Sequence, residues 1–307
     1  MDQSEKCAID GIVLLDKPSG MTSNAALQKV KNLFKAKKAG HTGSLDPLAS
    51  GLLPICLGHA TKISQFLLNA QKSYRVTALL GTTTNTGDRE GEVIASHPVP
   101  SLSETQVEAI LKEFLGEQAQ IPPMYSALKH KGQRLYHLAR KGETVERESR
   151  VIHIYELKLL GLEKTEEAVF LSMFVRCSKG TYVRTLVEDV GRILGCGAQV
   201  WDLRRVGLGP FASEDMVSLD TLRGQGETLP TKEAIMAHLL PIERALTWPS
   251  IHLSEASAFY LSNGQAIQVS LSAEPGWVQL FGPSGHLMGI GEMLADGRVA
   301  PKRLFLS

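Results

Sequence analysis

The apolar positions of this chain switch repeatedly between helical spacing and strict alternation, and the switches outline its elements. The first run, Ile12 to Leu15, predicts a strand that closes at Asp16-Lys17-Pro18-Ser19-Gly20, where Pro and Gly stop regular structure. A helix follows. Ala26, Leu27, Val30, Leu33 and Phe34 share one face, and Ser23 is placed to cap it. Lys29, Lys31, Lys35, Lys37 and Lys38 crowd its end and exit, where cations suit the helix dipole. Residues 40–51, Gly-His-Thr-Gly-Ser-Leu-Asp-Pro-Leu-Ala-Ser-Gly, hydrogen-bond their own backbone readily and predict an ordered loop. An apolar run, Leu52 to Leu57, leaves it. Ile63, Phe66, Leu67 and Ala70 predict another helix. Ser73 to Leu80 alternates Tyr74, Val76, Ala78 and Leu80 against Arg75 and Thr77, which predicts a strand with Tyr74 at its start.

Val107, Ile110, Leu111, Phe114 and Leu115 mark a helix capped by Ser103, after which Ile121-Pro122-Pro123-Met124-Tyr125 must be extended. Residues 129–150 break the pattern: seven Lys or Arg stand against three Glu, with His130, Tyr136 and His137 interleaved, so an exposed arm is expected. Val151 to Leu162 and Ala168 to Ser178 are long alternating runs that predict an antiparallel pair. Val183, Leu186, Val187, Val190, Ile193 and Leu194 predict the strongest helix, ended by Gly195, and Gln199 to Val206 should return to the sheet. A helix around Glu233 to Leu240 gives way to segments punctuated by Asn263-Gly264, Pro275-Gly276, Pro283-Ser284-Gly285 and Asp296-Gly297, read as hairpin signals. Strands and helices mix without a strict βαβ rhythm. The expected class is α+β, with a large domain over 1–248 and a small, mostly β domain over 249–307.

Composition narrows the function. At 307 residues and 43% apolar the chain can bury a full core, and 33 Lys+Arg against 32 Asp+Glu leave a net charge of +1, so any nucleic-acid surface must be local. Cys7, Cys56, Cys177 and Cys196 are scattered, with neither metal-ligand nor disulfide spacing, and read as reduced, mostly buried thiols. The N-terminus is polar, no apolar run is long enough to cross a membrane, and the cytoplasm is the expected compartment. Neither a phosphate-binding G-x-x-x-x-G-K-[ST] nor a strand-linked G-x-G-x-x-G occurs, so no cofactor and no metal are expected.

Asp46 is the sharpest chemical candidate, because a carboxylate in a Gly/Ser/Thr loop between apolar elements is rigid yet open to a ligand. The plainer alternative is a turn aspartate before Pro47. His41, in the same loop, contacts a substrate or merely ties the loop down. Arg184, at the start of the strong helix, either pairs with a carboxylate and keeps it ionised or pairs with Glu188 one turn on. Tyr74 and Tyr182 either stack on an unpaired base or finish a core. The lysines at 29–38 and the basic arm flank the carboxylate loop, and together these features favour an RNA ligand.

Leu15 to Ser23 and Gly40 to Gly51 closely resemble the signature blocks of the TruB family, the bacterial tRNA pseudouridine-55 synthases. Lys72-Ser73-Tyr74, Gly180-Thr181-Tyr182-Val183-Arg184-Thr185-Leu186, Leu203-Arg204-Arg205, Gly291-Glu292 and Gly297-Arg298-Val299-Ala300-Pro301 continue the resemblance in order over essentially the whole chain. The resemblance implies a mixed, largely antiparallel sheet in a catalytic domain of pseudouridine synthase type, a thumb-like insertion near 127–150, and a small PUA-like β domain. It implies uridine 55 in the tRNA T-loop as substrate, with T-loop and T-stem as partner and no small-molecule cofactor; a monomer is expected. By position, Asp46 is the nucleophile and Arg184 its ion-pair partner. Tyr74 is the ring stacked on uracil, while His41, Tyr182 and Leu203 touch the substrate. Attack at C6 of uracil and attack at C1′ of ribose stay equally open. The rivals are a non-catalytic tRNA-binding protein and a nucleoside or glycoside hydrolase; the latter needs a second carboxylate, and none stands beside Asp46 in the block Gly40 to Gly51.

Overall fold

The computed structural model describes residues 9–224, 231–269 and 274–305. Among them, ten strands form one mixed sheet, whose main path runs Val217–Ser218, Gly11–Lys17, Ser50–Leu57, Ala198–Leu208, Lys72–Leu80, Val169–Cys177, Arg150–Lys164, Gly116–Gln120. Neighbours on this path are antiparallel except where Gly11–Lys17 meets Val217–Ser218 and where Ala198–Leu208 meets Ser50–Leu57. The class is α+β, as the mixed rhythm predicts.

Alternation decides what each face does. In Lys72–Leu80, Tyr74, Val76, Ala78 and Leu80 are buried while Arg75 is exposed. Their face is covered by the helices Ser23–Leu33, Glu104–Glu113 and Val183–Ile193, which bury Val30, Val107, Leu111, Val187 and Val190 against it. Each such side chain contributes about 1.5–3 kcal/mol of apolar burial. At one end of the sheet the opposite face is covered as well, where Ile12, Leu14 and Leu52 pack with Leu67, Phe211 and Ile290. The predicted cap at Ser103 is present as a full capping box with Gln106.

The cap of the first helix falls elsewhere than expected. Thr22, not Ser23, accepts from the Ala25 N–H. The Ser23 hydroxyl is taken by a longer-range partner, donating to Leu45 O at 2.9 Å and accepting from Leu45 N at 2.7 Å. A second sheet of five strands gathers Ser250–His252, Ile267–Gln268, Gly276–Phe281, Leu287–Met293 and Arg298–Leu304. Pro283-Ser284-Gly285 and Asp296-Gly297 do turn hairpins. Asn263-Gly264 does not. It ends a helix, Glu255–Ser262, that the expectation of a mostly β tail does not include, and Gly264 takes the left-handed φ of +81° while its N–H closes on Leu261 O. Pro275-Gly276 does not turn a hairpin either, because Gly276–Phe281 pairs with Ser250–His252 and Leu287–Met293 while the preceding strand Ile267–Gln268 pairs with Arg298–Leu304; Cys7 and residues 270–273 lie outside the described residues.

The basic arm holds more structure than its composition suggests. Lys129–His130 pairs with Gln133–Arg134, and Leu135 and Leu138 of the short helix Leu135–Ala139 are buried and anchor it. Cys56, Cys177 and Cys196 are free and buried, with thiols pushed up by burial, to about 12 for Cys56 and about 11 for Cys177. Among the described residues, no helix is long and apolar enough to cross a membrane.

Candidate active site

The loop that carries Asp46 hangs between His41 and Ser50 and is fastened by five residues outside it. Ser23 bonds both polar groups of Leu45; Ser19 Oγ donates to Leu48 O at 2.7 Å, and Gly20 N donates to Pro47 O at 2.8 Å. Arg205, almost wholly buried, sends Nη2 to Gly43 O at 3.1 Å and Nε to Leu52 O at 2.7 Å. Lys17, also buried, donates to Pro18 O and Met21 O and reaches Pro47 O at 3.4 Å. Gly51 is required where the loop ends: its φ is +98°, and a Cβ there would collide with the backbone of Arg205 on the adjacent strand.

On this fixed loop Asp46 meets the first turn of Val183–Ile193. Arg184 Nε lies 3.0 Å from Asp46 Oδ2; the arginine side chain is 6% exposed and the aspartate side chain 43%. The remaining guanidinium nitrogens are committed elsewhere. Nη1 donates to Thr86 O at 2.8 Å and stands 3.6 Å from Asp88 Oδ2, while Nη2 donates to Tyr125 O at 2.8 Å. Arg184 therefore forms no ion pair with Glu188, the local partner its spacing allows; the fold outcompetes a contact worth only a few tenths of a kcal/mol. Asp88 is itself held by the Thr86 hydroxyl at 2.7 Å and the Glu90 N–H at 3.1 Å.

The electrostatics follow from this packing. Surrounding protein pushes the Asp46 carboxyl above its usual range; Arg184 and Lys17 pull it back, while Asp88 adds to the rise. The exposed part of the side chain lets water temper that rise. Burial lowers the Lys17 ammonium to about 8, against the pull of Asp46, and lowers Lys72 to about 8 as well. Burial raises Glu188 to about 6. The Tyr74 phenol is pushed up by burial and pulled back by Arg205, which stands opposite it in register on the neighbouring strand.

The other expected residues lie around this centre. His41 is half-buried, its Nδ1 has no protein partner, and burial, with Arg205, lowers its pKa. Tyr182 is the N-cap residue of the Arg184 helix; its phenol is raised by burial and lies beside the Ser126 hydroxyl, outside good hydrogen-bond geometry. Leu203 is buried in the core cluster that also holds Tyr74 and faces Val76 in register.

Besides Lys17, two charged residues of the centre, Asp88 and Arg205, are absent from the sequence-based site. Asp88 sits in Thr-Asn-Thr-Gly-Asp-Arg-Glu-Gly, a polar turn whose only signal is its density of bonding side chains. It is a second carboxylate at the centre, but at 6% side-chain exposure it serves Arg184 rather than an incoming sugar. Arg205 carries a clearer signal, a charged residue at an inward position of an alternating strand. Its neighbour Arg204 points the other way and forms a two-pronged pair with Asp16, at 2.9 and 2.7 Å.

Comparison with known proteins matches the same regions. The model of the TruB family pseudouridylate synthase N-terminal domain covers residues 31–183, that of the tRNA pseudouridylate synthase B C-terminal domain covers 184–247, and that of the pseudouridine synthase II TruB C-terminal region covers 249–305. The chain is 52% identical over 300 residues to tRNA pseudouridine synthase B of Nitrosococcus oceani, covering 97% of this chain and 96% of that protein. It is 50% identical over 300 residues to the Coxiella burnetii protein of the same name, with the same coverage, 97% and 96%. Among solved structures, an H/ACA RNP bound to a substrate RNA containing 2′-deoxyuridine matches with a TM-score of 0.71 and 23% identity, over 97% of this chain and 85% of that one. A Cbf5-Nop10-Gar1 complex matches with a TM-score of 0.70 and 25% identity, over 96% and 85%.

Proposed function

The chain belongs to the TruB family of pseudouridylate synthases, and from that premise we propose that it isomerises uridine 55 in the T-loop of tRNA to pseudouridine with Asp46 as nucleophile. One observation carries this reading: an open carboxylate stands 3.0 Å from an arginine whose other nitrogens are all taken. A guanidinium so pinned cannot swing away to solvent, so it presents a fixed positive charge to the single carboxylate oxygen it touches.

A stacked base shields both its C6 and the sugar C1′, so the uridine must be everted first, at a cost of a few kcal/mol that is least in a loop. The Asp46 carboxylate then bonds to C6 of uracil or to C1′ of ribose. The C1′–N1 bond breaks, the uracil turns, C5 bonds to C1′, the C5 proton leaves and the Asp46 oxygen is released. Product and substrate have the same composition, so the reaction consumes neither an oxidant nor water. When a bound nucleotide expels water, desolvation favours the protonated acid, and Arg184 opposes this. Tyr74 is assigned to the uracil ring, beside Arg205, and His41, Tyr182 and Leu203 to the nucleotide's surroundings. These assignments rest on their grouping around the Asp46 loop.

We assign catalysis to residues 1–248, including the basic insertion near 127–150, and RNA binding by a PUA-like unit to 249–307. The continuous five-stranded sheet from Ser250 to Leu304 supports that division. We assign this chemistry to a monomer working without a small-molecule cofactor, in the cytoplasm where tRNA resides. The test is tritium release from tRNA carrying 5-tritiated uridine, with the modified position mapped. Release at position 55 by the wild type and none by Asp46→Asn is expected. Equal release by both removes Asp46 from the chemistry, and free uracil as product would make the protein a hydrolase.

A further inference from the structure

Arg184 is held by its head, but its backbone must also be placed, and the helix that carries it has an unusual start. Tyr182, the N-cap residue, has extended backbone and offers no side-chain cap. A residue 62 positions away grips that residue's backbone instead: Gln120 Oε1 accepts from Tyr182 N at 2.8 Å, and Gln120 Nε2 donates to Tyr182 O at 3.1 Å. One carboxamide thus satisfies both backbone polar groups of a single residue. Gln120 is 5% exposed at the end of the edge strand Gly116–Gln120, an inward position where alternation calls for an apolar side chain. Burying a carboxamide there costs free energy unless its bonds are made, and these two make them.

The same segment then returns to the guanidinium. From Gln120 the chain runs through Ile121, Pro122 and Pro123, whose fixed φ angles stiffen it, to Tyr125, whose carbonyl accepts from Arg184 Nη2 at 2.8 Å. Residues 120–125 therefore bracket Arg184, gripping its helix start at one end and its charged head at the other. The segment continues directly into the basic arm, where Ser126 O accepts from Tyr136 N and Leu128 O from Leu135 N.

We propose that Gln120 is a positioning residue for the isomerisation: by clamping the Tyr182 backbone it sets where the Arg184 guanidinium stands relative to Asp46. The inference rests on the function proposed above. It makes the effect of Gln120 conditional on Arg184, which a purely structural residue would not be.

The experiment is a double-mutant cycle in single-turnover tritium release with enzyme in excess, together with tRNA affinity and thermal midpoint. Gln120→Leu removes both bonds at similar volume. In the wild-type background the single-turnover rate is expected to fall about 10- to 100-fold, the scale of a small misplacement of a catalytic group, with tRNA affinity within about twofold. In an Arg184→Lys background, where the fork that Gln120 positions is already gone, the same substitution is expected to change the rate less than about threefold. Gln120→Glu keeps the acceptor for Tyr182 N–H and loses the donor to its carbonyl, so an intermediate loss is expected. If Gln120→Leu does not fold, the same cycle is run with Gln120→Glu. A rate within twofold of wild type, or an equal fold-loss in both backgrounds, overturns the proposal. If the wild type itself releases no tritium, the proposed function fails instead. An active wild type, a silent Asp46→Asn and an indifferent Gln120 would defeat only this inference.

Discussion

The Asp46 centre and the basic arm at 129–150 are both rich in charge, yet they treat it in opposite ways. At the centre, Arg184 and Arg205 are buried: the Arg184 nitrogens meet Asp46, Asp88 and two carbonyls, and Arg205 Nε and Nη2 donate to the carbonyls of Leu52 and Gly43. Along the arm, Lys129, Arg134 and Lys141 are exposed, and Arg140 lies over the Tyr136 ring rather than against an acid. A buried charge must be paired or hydrogen-bonded before substrate arrives, because leaving it unsatisfied costs several kcal/mol. An exposed charge costs little to leave in water and gains when it displaces counterions from a phosphate chain. The first arrangement suits chemistry at one atom, the second suits holding a polyanion.

The sharpest way to break this contrast is at the nucleophile. Asp46→Asn should lower turnover by on the order of a thousandfold or more while tRNA affinity stays within a few-fold, because the carboxylate is needed for the bond and not for the hold. A comparable loss of affinity in a filter-binding titration would merge the two regions' roles. Next in size is Arg184→Lys, expected to cost roughly 100-fold in kcat, since an ammonium cannot serve Asp46, Thr86, Asp88 and Tyr125 at fixed angles. Were kcat preserved and only KM raised, the planar fork would be irrelevant. Asp88→Asn should cost less, about 10-fold in kcat, by loosening one side of Arg184.

The arm should respond in binding rather than in rate. Replacing Lys129, Arg134 and Arg140 together by Gln should weaken tRNA binding at moderate salt and reduce the slope of log affinity against log salt by about 2–3, with kcat at saturation unchanged. An unaltered slope would take these residues out of the interface. The smallest effect concerns pH. Removing a cation near Asp46 makes its proton harder to lose, so Lys17→Met should move the acid limb of kcat/KM to higher pH, by less than about one unit. A limb that stays in place or moves to lower pH would show that the Lys17 charge does not reach Asp46.

Much of the fold was legible because it is written in short-range spacing. The helix Val183–Ile193 follows from six apolar residues on one stripe, the strand Lys72–Leu80 from alternation, and the Ser103 cap from a serine just ahead of an apolar helical stripe. The Asp46 loop was legible for a different reason, since its residue types and order form a specific block. Errors arose where a local signal met a distant competitor. Ser23 has the right chemistry for a cap, but Leu45 claims its hydroxyl. Asn263-Gly264 suits a hairpin turn and also suits a helix end, and burial of Ala258 and Leu261 selects the helix.

Spacing and motif along the chain carry the periodic elements, the basic character of the arm and the proposed pairing of Asp46 with Arg184. How that pair is held is set by packing between distant segments. The partners that fix Arg184 come from Thr86 and Tyr125, 98 and 59 residues away, and the brace beneath it comes from Gln120, 62 residues from Tyr182. Spacing along a chain encodes which side chains share a face of one element. It carries no record of which carbonyl a folded sheet will bring within hydrogen-bond reach, because that contact exists only after the distant segments have packed.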